Sequence, residues 1–359
     1  MKETKGEKKL PLVCGKEAKK IMKKNIEKKD KNDDISYALT KLTNDAYYGY
    51  QGVRIAQQNR IRDIVRRKTE GIPLSKPEEK KDKKNFDKKF NDKKLPFYLG
   101  KLVLKNKITE NEKQHIQKLF ELSKETKKIE QKYKKMMEEC LKYEKIYNQW
   151  LKKLKGIGTV LSSNLLKNFG YCEITIFDSK GNQVCSEIDD LEKTWKLLKE
   201  IRHDGNKNKL FYKGYPHVSS LWRHCGLDPE GAQPKNKGKK IHYNPKLKTL
   251  AWKIADSFFM KRTPVYRSLY DQYLARQYKL IDDHDKKAAK NKKHACFRSR
   301  RRMVKIFLAH YWSIARRMKG LPVTNPYAID KIPGHSTYVK PPFNPFSDSD
   351  NPGVSNEKG

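Results

Sequence analysis

Acidic residues are few beside basic ones, and long apolar runs are missing. Asp and Glu number 42 against 82 Lys and Arg, a formal charge of +40 in 359 residues. Like charge on that scale opposes compaction unless a polyanion offsets it, and a nucleic acid is the economical partner. The alternative is a lysine-rich chain whose helix faces are simply solvated. No run of some 18 apolar residues occurs, and the first residues, "MKETKGEKKLPLVCGKEAKK", hold no apolar core of signal-peptide length. No membrane partner is therefore expected, and the expected location is cytoplasmic, within the cell and near the nucleoid. The six cysteines (Cys14, Cys140, Cys172, Cys185, Cys225 and Cys296) form no C-x-x-C pair and have no His-x-x-x-His companion. That argues against a disulfide framework or a zinc knuckle, and neither a metal nor a cofactor is expected. Hydrophobic residues make up only 36% against 35% charged, which points to slender helical parts and a modest core.

What is present is mostly helical pattern. Residues 1–34 read as a basic, disordered arm. From Ile35 apolar residues recur at helical spacing (Leu39, Leu42, Ala46, Tyr50, Val53, Ile61, Ile64, Val65) until Gly71 and Pro73 end the helix, and a charged linker completes a helical region over 35–95. The stretch 96–154 reads as a coiled-coil region. Thr109 and Glu112 have the form of a capping box, and Ile129, Tyr133, Met136, Cys140, Tyr143, Tyr147, Trp150 and Leu154 recur in steps of four and three. One helix from Thr109 to Lys153 would be roughly 65 Å long and needs a companion. A second copy would make the protein a homo-oligomer; another helix of the same chain is the alternative. Further on, "YCEITIFDSKGNQVCSEI" alternates like a small β-hairpin, Asp189 or Asp190 caps the next helix, Gly226 closes a short one, and Asn244-Pro245 opens another. After Gly320 a proline- and asparagine-rich tail, 321–359, reads as disordered.

The most informative segment is "LKGIGTVLSSNLL". Leu151 and Leu154 precede Gly156-Ile157-Gly158, and Val160, Leu161, the small Ser162, Leu165 and Leu166 follow. This is helix-hairpin-helix spacing: the glycines allow a tight reversal, Ile157 inserts between the helices, and Ser162 lets them approach. Beyond Gly158, from Thr159 on, the second helix starts with backbone N–H groups lacking internal partners, a ready seat for phosphate, with Lys155 and Lys167 adding charge. The alternative is a hairpin that uses glycine only to turn. Two further basic groups are candidates for phosphate contact, the loop lysines Lys235, Lys237, Lys239 and Lys240, and the cluster Arg298, Arg300, Arg301 and Arg302; a solvated helix face is the alternative for the latter. His242 and Tyr243, the other reactive side chains of the loop, suit phosphate contact or packing.

Taken in order, "LKGIGTVLSSNLLKNFG", "VSSLWRHCGLDPEGAQPKNKGKKIHYNPKLKTLAWKIADSFF", "TPVYRSLYDQYLARQ" and "RRRMVKIFLAHYW" resemble the C-terminal half of the DEDD-type insertion-sequence transposases, or bridge-RNA recombinases. The resemblance covers roughly residues 145–318 and implies a helix-hairpin-helix DNA-binding domain, here 145–320, preceded by a coiled coil that assembles oligomers. Two features depart from the family. Its opening RuvC-like domain carries a metal-binding aspartate on a buried strand, whereas Asp33, Asp34, Asp45 and Asp63 lie in or beside helical sequence. Its nucleophilic serine belongs after the "GL-P" turn, whereas Asp228 to Asn244 contains no serine and Gln233-Pro234 occupies that neighbourhood. No catalytic residue or metal ligand is assigned.

The fold expected is mainly α, with an N-terminal helical region, a long coiled-coil helix and a helix-hairpin-helix domain carrying a small β-hairpin. The function expected is DNA binding, most simply to double strands, in transposition or recombination or as a catalytically degenerate derivative. One alternative is an active transposase with unrecognised catalytic residues. Another is a structured-RNA-binding scaffold, in which Tyr47, Tyr48, Tyr50 and Trp222 stack on unpaired bases.

Overall fold

The computed structural model describes residues 31–71, 94–231, 238, 240–285, 289–324 and 339–346. Residues 1–30 of the basic arm, 75–93 of the linker, most of the tail, and Lys235, Lys237 and Lys239 lie outside the described residues. Among those described, ten α-helices and one three-stranded sheet make a mainly helical protein. They divide into two compact units, one within Lys41–Glu139 and a second formed by the described residues up to Thr40 together with those from Cys140 onward.

In the first unit, α1 (Lys31–Glu70) contributes its residues from Lys41 onward, and Gly71 ends it at φ 73°. Pro96 opens α2 (Leu95–Leu104), and α3 (Glu110–Leu141) begins at the expected capping box. The Glu112 amide donates to Thr109 Oγ1 at 3.1 Å and the Thr109 amide to Glu112 Oε2 at 2.7 Å. Ile61, Val65, Leu95, Leu99, Leu102, Ile108 and Ile116 form the apolar core, each burial favouring the fold by about 1.5–3 kcal/mol. Beyond that core α1 and α3 lie antiparallel. Tyr50 stacks on Tyr133 with centroids 5.4 Å apart, Arg54 pairs with Glu130, and the Asn44 amide meets Met137 Sδ at 3.8 Å.

The expected coiled coil differs from the structure in two ways. The helix does not run from Thr109 to Lys153 but stops at Leu141; Tyr143 is 70% exposed, and a separate short helix α4 (Lys145–Gln149) and a 3-10 turn (Leu151–Lys153) follow. The physical reason is that Ile146, Tyr147, Trp150, Leu151 and Leu154 are drawn into the core of the second unit, and that packing overrides a continuous heptad. The register also differs. Ile116, Ser123, Glu130 and Met137 are the buried heptad positions, while Met136 is 47% exposed. The face covered on α3 is thus one residue on from the apolar seam, because α1 presents a largely polar face (Thr43, Asn44, Arg54) to it.

The second unit is built on α10 (Lys292–Met318), which packs against α4, α7 (Val218–His224), α8 (Pro245–Lys261) and α9 (Tyr266–Asp282). Its Met303, Phe307, Tyr311, Trp312 and Ile314 are buried among Leu250, Ile254 and Phe258 of α8 and Trp150. Asn244 caps α8 by accepting the Lys246 amide at 2.9 Å, and Asp190 caps α6 (Leu191–His203) by accepting that of Lys193 at 3.0 Å. The expected β-hairpin, β1 (Thr175–Phe177) and β2 (Gln183–Ser186), gains a third antiparallel strand, β3 (Phe211–Lys213), in the order β2-β1-β3. Gly214 makes this possible: at φ 114° a Cβ there would sit 1.9 Å from the Glu173 carbonyl oxygen. The sheet is tied to α10 by a fully buried ion pair. Arg316 Nη2 donates to Glu187 Oε1 at 2.8 Å and Nη1 to Oε2 at 2.9 Å, and Nη1 also reaches the Cys172 carbonyl. Removing one partner of such a pair typically costs about 3–5 kcal/mol.

Candidate nucleic-acid interface

The glycine turn joins the 3-10 turn to α5 (Thr159–Phe169). Gly156 takes φ 99°, a conformation that a side chain strains, and a Cβ there would also press on Ser257 Oγ at 3.1 Å. Ile157 is buried, its amide bonded to the Leu154 carbonyl at 3.0 Å. The neighbouring carbonyls face inward. Gly156 O accepts from Ser257 Oγ at 2.6 Å, and Lys155 O accepts from the buried Thr263 Oγ1 at 2.5 Å.

The amides on the other side of the turn differ. Gly158 is exposed, extended, and the N-cap of α5 without a side-chain cap; its carbonyl accepts the Ser162 amide at 3.0 Å. Thr159 and Val160 are half-buried, and among the described residues no acceptor takes the amides of Gly158, Thr159 or Val160. One side of the turn is therefore fixed to α8 and the short segment after it, while the other presents N–H groups at the positive end of a helix. Lys152, Lys153 and Lys155 are exposed beside it; Lys167 lies in the last turn of α5, half-buried. Ser162 and Leu165 are buried, as the hairpin spacing requires.

The arginine cluster is divided. Arg300 pairs with Asp256 and lies over the Phe259 ring at 4.6 Å; since Asp256 adjoins Ser257, one turn of α8 holds both Arg300 and the glycine turn. Arg301 is half-buried and donates from Nε to the Leu227 carbonyl at 3.0 Å, and burial lowers its proton affinity. Arg298 donates to Gln277 Oε1 at 3.3 Å. Arg302 lies against the Tyr273 ring at 5.8 Å and has no ion pair among the described residues. Lys305, absent from the sequence-based candidates, sits 4.1 Å over the Trp222 ring; burial, then Arg301 and Arg302, push its pKa down to about 8. Trp222 itself is partly buried and donates from Nε1 to the Lys305 carbonyl, and Tyr50 is stacked on Tyr133, so both rings are engaged within the protein.

The basic loop runs from α7 to α8, and of its four lysines Lys240 is described and exposed. His242 Nε2 lies 3.0 and 3.2 Å from the two Asp228 oxygens, and its Nδ1 lies 3.6 Å from Glu230 Oε1. These three are the one group of metal-competent side chains gathered among the described residues. Tyr243 packs edge-on to His242 and covers Gly226, and Lys248 reaches the Gly231 carbonyl at 2.6 Å. His242 thus contacts carboxylates and Tyr243 serves packing. Sequence reasoning missed the anchors Ser257 and Thr263, which lie about a hundred residues from the turn they hold, and nothing local marks them.

Residues 35–71 and 94–110 are helix and turn, with no strand among them, so the sheet on which the resemblance places catalytic carboxylates has no counterpart among the described residues there. Asp63 is paired with Arg66 and Arg67, and Asp45 is exposed on α1. No family model, curated protein or solved structure matches the chain. Likewise, no helix among the described residues is long and apolar enough to cross a membrane.

Proposed function

We propose that the protein binds nucleic acid, double-stranded DNA first, by seating a backbone phosphate on the amides of Gly158, Thr159 and Val160 beside Lys155, with Arg300 and Arg302 extending the grip. The carrying observation is the asymmetry of the turn, whose carbonyls are bonded inward by Ser257 and Thr263 while its amides have no acceptor among the described residues. An anion at a helix N-terminus meets both hydrogen bonds and a favourable dipole. A surplus of 40 positive charges supplies long-range attraction. Such contacts fix position without reading bases, so sequence selectivity through this turn is weak. The resemblance to transposases makes DNA the first ligand to try; structured RNA is the competitor, and a second copy of the chain is proposed to join it through the α1–α3 face.

The test removes one amide and little else. Thr159 is the first residue of α5, where proline is well tolerated, and the extended Gly158 suits a following proline. Thr159→Pro is expected to keep the helical circular dichroism and to weaken binding to a random duplex by about tenfold, as losing a charge-assisted hydrogen bond of roughly 1.5 kcal/mol would. Unchanged affinity in a folded variant would remove the turn from the interface. Competition of the duplex with structured RNA at fixed salt decides between the two polymers.

A further inference from the structure

We propose that Asp228, Glu230 and His242 bind a divalent first-row transition-metal ion of the zinc class, which ties the two ends of the basic loop together. Asp228 and Glu230 lie on the limb leaving α7 and His242 on the limb entering α8, so an ion held by all three joins the two limbs. Their ligand atoms lie within 4.8 Å of one another. Two ligands each about 2.1 Å from one ion stand roughly 3.0–3.4 Å apart, and His242 Nε2 is 3.0 Å from Asp228 Oδ2. That edge is already at coordination spacing. Glu230 Oε1 lies 3.6 Å from the other ring nitrogen, Nδ1, and its side chain is 70% exposed, so it joins the set by turning toward the Nε2 edge.

The frame around the edge is stiff. A Cβ at Gly231 would fall 2.6 Å from Asp228 Oδ1 and 2.7 Å from the Gly226 Cα, so the first limb is folded tightly on itself. The Gly231 amide donates to Asp228 Oδ1 at 3.2 Å, and the Asn244 amide to the His224 carbonyl at 3.0 Å, which closes the loop's base. Coordinating carboxylates and imidazoles are held by such outer bonds in metal sites generally. One imidazole with two carboxylates suits zinc, cobalt or manganese better than magnesium or calcium, which favour oxygen alone. Arg301 and Lys305 act electrostatically on Asp228 and oppose a cation. Each is engaged elsewhere, Arg301 with the Leu227 carbonyl and Lys305 with Trp222, so they moderate the affinity without occupying the ligand positions.

Equilibrium dialysis of the full chain against zinc, with a thiol-free reductant present, tests the site directly and needs no nucleic acid. One zinc ion per chain is expected, lost in Asp228→Asn and His242→Ala and weakened in Glu230→Gln, whose exposed side chain can be changed without loss of fold. Zinc is also expected to raise the melting temperature of the parent chain and not that of the His242→Ala variant. Cobalt(II) in place of zinc is expected to give d–d absorption without a thiolate charge-transfer band, which separates this site from the cysteines. No retained zinc, equal retention by the parent and all three variants, or a thiolate band overturns the proposal.

Discussion

His310 carries a pH dependence that its position dictates. Its Nε2 faces the Val339 carbonyl at 2.7 Å, an acceptor only, so Nε2 holds the proton and Nδ1 accepts from the Tyr266 hydroxyl at 2.9 Å. Both nitrogens are used by the neutral ring, and burial pushes the pKa from 6.5 down to about 4. A second proton would displace the Tyr266 bond and charge a group buried on the inner face of α10. The folded chain thus refuses a proton that the unfolded chain accepts. The stabilisation is full above pH 6.5 and declines as pH falls from 6.5 toward about 4. Burial lowers His217 and His224 in the same direction, so the parent is expected to lose stability steeply across that window. His310→Asn is expected to be less stable at neutral pH by about 1–3 kcal/mol, from broken buried hydrogen bonds, and to show a shallower loss on acidification. Denaturant melts of both proteins along the pH series read the two slopes; equal slopes would clear His310 of the effect.

At the level of elements, α1 and α3 are packed with their polar faces inward. Thr43, Asn44, Ser123 and Glu130 are buried between or beneath them, while Leu42 (64% exposed), Val53 (51%) and Met136 (47%) face outward. Tyr50, itself 37% exposed, stacks on Tyr133 and adds to the apolar surface where the two helices meet. Between Ile35 and Val53 the sequence carries one Lys and one Asp, in a chain where charge is otherwise dense. That neutral apolar face is where two chains bearing +40 each can meet with least repulsion. Self-association of the purified protein is therefore expected by light scattering, and Val53→Glu with Met136→Glu is expected to yield monomers of unchanged helicity. A monomeric parent at high concentration would refute it. The sequence revealed helix ends in both units, because caps and terminators are local: Thr109 with Glu112, Asn244 with Pro245, Asp190 and Gly71 each act within a few residues. It did not reveal which α3 face is covered, since that choice depends on α1, some eighty residues away. Strand β3 escaped notice for the same reason, being short and identified only by its pairing with β1. The glycine turn was legible from spacing, yet its anchors Ser257 and Thr263 and the pairing of Asp228 with His242 are properties of the assembled fold.

Across the whole molecule the question is whether binding is diffuse attraction to a polycation or a grip at the turn, and salt separates the two. Each phosphate neutralised releases condensed counterions and steepens the fall of log K against log salt by about 0.9 for a duplex. A chain with 82 basic side chains and 42 acidic ones is expected to give a steep line whichever surface it uses. Steepness alone is therefore uninformative, and the informative quantity is how the line changes on substitution. Lys155→Ala removes one exposed cation beside the amides, so it is expected to make the slope shallower by about 0.9 while weakening all duplex sequences alike. Thr159→Pro removes a donor with no formal charge, so it is expected to lower the line at every salt concentration and leave its slope nearly unchanged. A polycation binding diffusely would respond to neither change beyond the small share that one charge represents. Titrating a random duplex against the parent and both variants over a range of potassium chloride distinguishes these patterns: parallel displacement in one variant and altered slope in the other is the signature of phosphate held at the Gly158–Val160 amides, and superimposable lines would assign the attraction to net charge alone.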